Sequence, residues 1–139
     1  VAVAAGGAMS NTVTVPVEAS APVLIAMVHG NGSPVSPEQP GRAGEVLSLY
    51  ASGLGEVDAP VVNGEAAPGR TLVRMQVAPA VTINAVPAPV LFAGLTPGAV
   101  GLYQINFTIP EGATAETGVS AAFRLSVGSS SVVGRIDVQ

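Results

Sequence analysis

Glycine and proline recur along this chain so often that they leave no uninterrupted window for a long helix: seventeen Gly and twelve Pro are spread over 139 residues. Proline removes a helical hydrogen bond and clashes with the preceding turn, and glycine raises the entropic cost of any regular element that it interrupts. Between these breaks lie short runs in which apolar and polar residues alternate, the pattern of half-buried strands. The sequence therefore predicts an all-β fold, a β-sandwich or barrel. Its length fits one domain of about 100–200 residues.

The clearest strand is "GLYQINFTIP" (101–110), which sends Tyr103, Ile105, Phe107 and Ile109 one way and Gln104, Asn106 and Thr108 the other. The run "AAFRLSVG" does the same with Phe123, Leu125 and Val127 inward, and "EVLSLYASG" with Leu47, Leu49 and Ala51. "TLVRMQVAP" alternates Val73, Met75 and Val77 against Leu72, Arg74 and Gln76, which predicts a further strand. "VTIN" and "PVLFAG" are shorter pieces. The second is apolar on both faces and is expected to lie deeper. Aromatic residues are only 4% of the chain, so Val, Ala, Leu and Ile must fill the core, with Phe92, Phe107 and Phe123 among them. Residues 30–44, with three prolines and four glycines, are the longest stretch without a strand pattern, and residues 52–70 are a second irregular one. "LTPGAVG" (95–101) predicts a tight turn. Tyr103, two residues before the core position Ile105, invites comparison with the tyrosine corner of immunoglobulin-like sandwiches.

Charge narrows the partners. Only 10% of residues are charged, lysine is absent and the net charge is -4. Nucleic acid and anionic membrane both call for concentrated positive charge, so neither is expected as a partner. Residues 76–110 carry no charge, yet Pro79, Pro87, Pro89 and Pro97 break that stretch and argue against a membrane span. There is no cysteine, hence no disulfide. The chain lacks an initiator Met and an export-type leader, which reads as a processed or excised product.

Catalytic chemistry finds little to work with. His29 is the single histidine, so a Ser-His-Asp triad or a histidine metal set is not expected, and His29 reads as a loop residue. Glu45, Glu56, Asp58 and Glu65 are the acids available to glycoside chemistry, but no spacing singles out a pair. Glu56, Asp58 and Asn63 offer a thin oxygen set for calcium. No catalytic, cofactor or metal residues are assigned, and no cofactor is expected. "NGS" (31–33) and "NFT" (106–108) match the Asn-glycosylation pattern and are discounted for Asn attachment. The expected partners are copies of the chain itself and, second, a surface glycan.

The segment "SNTVTVPVE" (10–18) is out of place. Val13, Val15 and Val17, with Thr12, Thr14 and Pro16 between them, describe a strand with one apolar face, of the kind that closes a domain. Residues 1–17 carry no charged side chain, include Gly6-Gly7 as a break, and align without gaps on 122–138, matching Gly7 to Gly128, Ser10 to Ser131, Val15 to Ile136 and Val17 to Val138. We therefore divide the chain into a strand segment, 1–17, and a sandwich, 18–139.

With "SLYASGLGEVDAPVVNGEAAPG", "VTINAVPAPVLFAGLTPGAVGLYQINFTIPEG" and "LSVGSSSVVGRIDV" laid out, the chain from about Glu18 onward resembles a Solibacter-type uncharacterised C-terminal repeat domain, akin to IPT/TIG immunoglobulin-like folds of bacterial exported proteins. That resemblance implies an immunoglobulin-like sandwich at the cell surface or outside the cell, without an assigned enzymatic role. In such a unit a segment like 10–17 comes last, whereas here it also comes first. The expected function is that of a non-enzymatic structural subunit of an extracellular, pilus-like filament. Thr12, Val13, Thr14, Val15 and Val17 would be donated as a strand to the neighbouring copy's sandwich. The alternative is a tandem module of a large surface protein, carbohydrate-binding or adhesive.

Overall fold

A computed structural model of the chain describes residues 1–113 and 120–139. Among these residues there is no helix, and ten strands run in chain order. A small hairpin, β1 (Ala4–Ala5) and β2 (Ala8–Met9), precedes β3 (Val23–Val28), β4 (Val46–Ser52), β5 (Ala80–Ile83) and β6 (Val86–Ala88). β7 (Val90–Leu95), β8 (Tyr103–Thr108), β9 (Ser120–Val127) and β10 (Ser130–Asp137) complete the set. Two four-stranded antiparallel sheets result, one ordered β3-β4-β8-β7 and the other β10-β9-β5-β6.

The two sheets share one apolar core, an arrangement consistent with a sandwich. Leu47, Leu49 and Ala51 of β4 and Ile105 and Phe107 of β8 meet Val81 and Ile83 of β5 and Phe123, Leu125 and Val127 of β9. Period-two alternation puts these residues on one face of each sheet. Phe107 and Phe123 touch across the core, their ring centroids 5.9 Å apart. Phe92 is not in the core. It is half-buried on β7, with the Arg74 guanidinium 5.3 Å from its ring centroid.

The connections do more than sequence alternation foretells. Residues 71–79 form no strand; Val73 and Met75 are buried, but Val77 is exposed and only Arg74 and Met75 make isolated bridges. That segment lies against β7, where Leu95 N donates to Val73 O (2.9 Å) and Met75 N to Ala93 O (3.1 Å). Its approach explains Gly94. A Cβ there would come 2.1 Å from the Val73 carbonyl oxygen. β7 is consequently an edge strand with a covered rim rather than the deep strand its apolar run predicts. Its double-faced apolar character reflects burial under residues 73–75 at one end. Tyr103 is likewise no tyrosine corner: it opens β8, and its hydroxyl donates to the carbonyl of Gly55, in the connection that follows β4.

Turn chemistry fixes the remaining register. The β5–β6 turn places both Asn84 and Ala85 at positive φ, as a two-residue type I′ turn demands. Two hydrogen bonds tie it to β9: Asn84 N to Ala122 O (2.8 Å) and Ala122 N to Asn84 Oδ1 (2.9 Å). Only Pro89 separates β6 from β7, so the chain passes from one sheet to the other there and closes that side of the sandwich.

Candidate functional site

Every residue from 1 to 19 is exposed, and Glu18 is the first charged side chain among them. The segment does not form the single strand that its alternation predicts. Gly6 and Gly7, both at positive φ, make a two-residue turn that folds the start of the chain back on itself, pairing Ala5 with Ala8 and Ala4 with Met9. Ser10 N donates to Val3 O, and the backbones of Val1 and Val13 exchange bonds of 2.5 and 2.9 Å. Gly6-Gly7 is thus a hairpin turn and not a free break. Residues 10–18 belong to no strand: Ser10 and Val13 bond back to Val3 and Val1, but residues 14–18 have no backbone partner among the described residues, and alternation supplies an apolar face without supplying a neighbouring strand. Val13, Val15 and Val17 are 52%, 53% and 94% exposed, and Thr12 and Thr14 lie between them, equally outside the sheets. A two-stranded hairpin without further packing is marginal in water.

The ribbon is nevertheless anchored where it enters the body. Ala21 N donates to Gly53 O (2.8 Å), Ser20 Oγ to Val127 O (3.3 Å) and Ser130 Oγ to Ser20 O (2.8 Å). Residues 20–21 are thereby held between the end of β4 and the β9–β10 turn. A hollow of about 230 Å3 lies at this junction, lined by Ser20, Leu54, Gly55, Val77, Val127 and Ser130 among others.

A second polar centre stands at the other end of β3. His29 Nδ1 lies 2.6 Å from Glu45 Oε1 and its Nε2 3.0 Å from Gln39 O, while Arg42 N donates to Glu45 Oε2 (2.9 Å). His29 therefore does not decorate the 30–44 connection; it pins that connection across its width. The stretch is also less structureless than its composition predicts, with bridges Val28 to Pro34, Ser36 to Gln39 and Gly41 to Val138. An open cleft of about 850 Å3 follows its inner side, with His29, Glu38, Arg42, Glu45 and Gln139 in its wall. Alternation could not reveal this pair. The signal was that the two residues flank the loop joining two antiparallel neighbours.

The hydrogen bond to Glu45 raises the His29 pKa above its ordinary value; burial opposes the shift, and the Gln39 carbonyl and the Glu45 charge assist it. Burial pushes the Glu45 carboxyl up, but the bonds from His29 and the Arg42 N–H, with the charges of both residues, together hold it below the ordinary value. The His29 contribution to stability is full below about pH 6.5 and fades as pH rises through the raised value; that of Glu45 is present above about pH 4.5 and fades as pH falls through the lowered one. Thermal midpoints measured from roughly pH 4 to pH 9 are expected to be highest near pH 5–6 and to decline on the alkaline side. His29→Ala should abolish that alkaline decline. A parent midpoint that climbs steadily from neutral to alkaline pH would contradict the assignment.

The other acids stay apart. Asp58 Oδ1 accepts from Arg74 N (2.8 Å), which uses it to hold the 73–75 segment. No group of three His, Cys, Asp or Glu placed to hold a metal occurs among the described residues. Asn31 of "NGS" accepts from Ser33 N and Oγ in a local turn, and Asn106 of "NFT" is half-buried on β8, accepting from Ser48 and Gln104. Comparison with family models, with curated proteins and with solved structures finds nothing that matches this chain. The family resemblance read from residues 18–139 accordingly has no counterpart there and rests on the quoted runs alone.

Proposed function

We propose that this chain is a non-enzymatic structural subunit of an extracellular, pilus-like filament, an immunoglobulin-like sandwich whose leading ribbon adds a strand to the next copy. The strand order supports the immunoglobulin reading. Lettered in chain order as A, B, C, C′, D, E, F and G, β3 to β10 give the sheets A-B-E-D and G-F-C-C′, the arrangement of that fold with one added strand. Both sheets already hold four strands, so donation here extends an edge instead of filling a vacant place.

One observation carries the reading: nineteen consecutive exposed residues stand outside the two four-stranded sheets, uncharged in side chain as far as Val17 and apolar at every second position from Val13 to Val17. A segment of this kind has no charge to desolvate on docking. Burial of each valine would contribute about 1.5–3 kcal/mol before ordering costs. Head-to-tail repetition of a contact between different surfaces does not close on itself and builds a fibre.

Deleting residues 1–17 tests the proposal. The full chain is expected to give filaments in negative-stain microscopy, and the deletion variant soluble monomers with an unchanged β spectrum. Filaments that persist after deletion would end it. The tandem-module alternative is favoured by one detail: Gly7 and Gly128, which the gapless alignment superposes, both have positive φ and both lie in a hairpin turn. On that reading the purified full chain remains monomeric.

A further inference from the structure

Resting on strand donation, we infer that the acceptor is the outer edge of β3, at residues 23–26, and that its occupant is the 12–17 segment of a second copy. Among the described residues the two four-stranded sheets have four edge strands, and three of these edges are obstructed. β7 is covered by residues 73–75 through the Val73 and Met75 backbone bonds. β6 has three residues with Pro87 at its centre, which removes a donor from any added ladder. β10 carries Arg135 and Asp137, and Gly41 occupies its end through Gly41 N to Asp137 O (2.8 Å) and Gln139 N to Gly41 O (2.9 Å). Charged side chains and covered ends are how proteins protect sheet edges.

β3 lacks these protections over most of its length. Its sequence, VLIAMV, is uncharged throughout. Residues 33–35 cover its far end, where Val35 N donates to Met27 O (3.0 Å). Residues 23–26, by contrast, have no backbone partner beyond β4 among the described residues. Val23 and Ile25 are 55% and 57% exposed there. Leu24 and Met27 are half-buried and pack against the core. Leu24 lies across Gly134, where a Cβ would come 3.0 Å from its Cδ1. On the side of the sandwich away from the β6–β7 crossover, residues 23–26 thus offer an uncharged edge with no backbone partner beyond β4 among the described residues.

The donor matches this edge in its lack of charge: neither 12–17 nor 23–26 holds a charged side chain. Six extended residues span about 20 Å, more than enough to cover the four of 23–26. The ribbon's own body is excluded by its anchoring: Ser20 and Ala21 are held at the end of the sandwich, and no backbone bond joins residues 1–19 to β3 among the described residues. The register shift at Ile25 breaks the ladder to β4 and limits the edge to short partners, which restrains indiscriminate sheet growth.

The absence of cysteine makes cross-linking a clean test. Directly opposed residues on neighbouring antiparallel strands lie about 4.5–5.5 Å apart at Cα, within the span of a disulfide. The full chain bearing Val15→Cys is mixed with full chain bearing cysteine singly at Val23, Ile25 or Ala26, assembled, oxidised and mapped by peptide mass spectrometry. A partner with Val133→Cys reports on β10 and one with Leu91→Cys on β7. The expected result is a mixed disulfide to at least one β3 position, about ten-fold above both reporters, since only adjacent strands satisfy the geometry. Filaments whose cross-links run to Val133 or Leu91, or to none of these sites, would overturn the β3 assignment while leaving strand donation standing. Chains that neither assemble nor cross-link would overturn both.

Discussion

Phe107→Ala is expected to destabilise the fold by about 3–5 kcal/mol, a large share of the 5–15 kcal/mol that typically separates a folded domain from its unfolded chain. Phe107 is fully buried on β8, opposite Leu47 of β4 and Val90 of β7, and it meets Phe123 across the two sheets. With aromatic residues only 4% of the chain, few side chains are large enough to fill the cavity that its loss would leave. Its neighbours Leu47 and Val90 are held on two ladders, so collapse into the space is restricted. The thermal midpoint should fall by roughly 10–20 °C for a domain of this size. Phe107→Leu retains most of the volume and should cost less than half as much. Thermal or urea unfolding monitored by circular dichroism measures both. An alanine variant within about 1 kcal/mol of the parent would mean that the sheets are not held together at this contact.

The core of that prediction was legible in the sequence because Phe107 stands in a run that alternates without interruption. β4, β8 and β9 share this property: each is a central strand with one face on the core, and a period of two is the imprint of that environment. β3 and β7 are edge strands, and there the imprint fails. In β3 the register shift at Ile25 spoils the alternation, and six apolar residues in a row carry no phase. In β7 the apolar run marks a segment covered by another stretch of backbone, which residue pattern cannot distinguish from a strand buried between layers. The reverse error occurred at 71–79, where alternation is genuine over Val73 and Met75 but the segment joins the edge strand β7 through one isolated bridge, Arg74 to Gly94, and otherwise bridges Val57. His29 and Glu45 were visible as residues but not as a pair, since their 2.6 Å contact depends on the antiparallel pairing of β3 with β4. The unusual composition of residues 1–17 was legible. Their fold-back at Gly6-Gly7 was missed, although two adjacent glycines are what a type I′ turn prefers.

Folding and association should separate when the ribbon alone is changed. Val13→Asp, Val15→Asp and Val17→Asp, combined in one chain, are expected to leave the unfolding midpoint within about 5 °C of the parent, because each side chain is more than half exposed and an exposed substitution usually shifts stability by about 0.5 kcal/mol or less. The same three changes should abolish assembly. A carboxylate buried against the uncharged β3 edge without a partner costs several kcal/mol, and three on one face exceed what the strand gains by backbone pairing. Three Thr substitutions at the same positions, β-branched and uncharged, should assemble at higher protein concentration. Sedimentation of the assembled fraction against concentration reads all three chains. If the Asp chain forms filaments as readily as the parent, the alternating valines make no buried contact and the ribbon is not the donor. If instead it loses both assembly and stability, residues 13–17 belong to their own domain's core, which the exposure of every residue from 1 to 19 argues against.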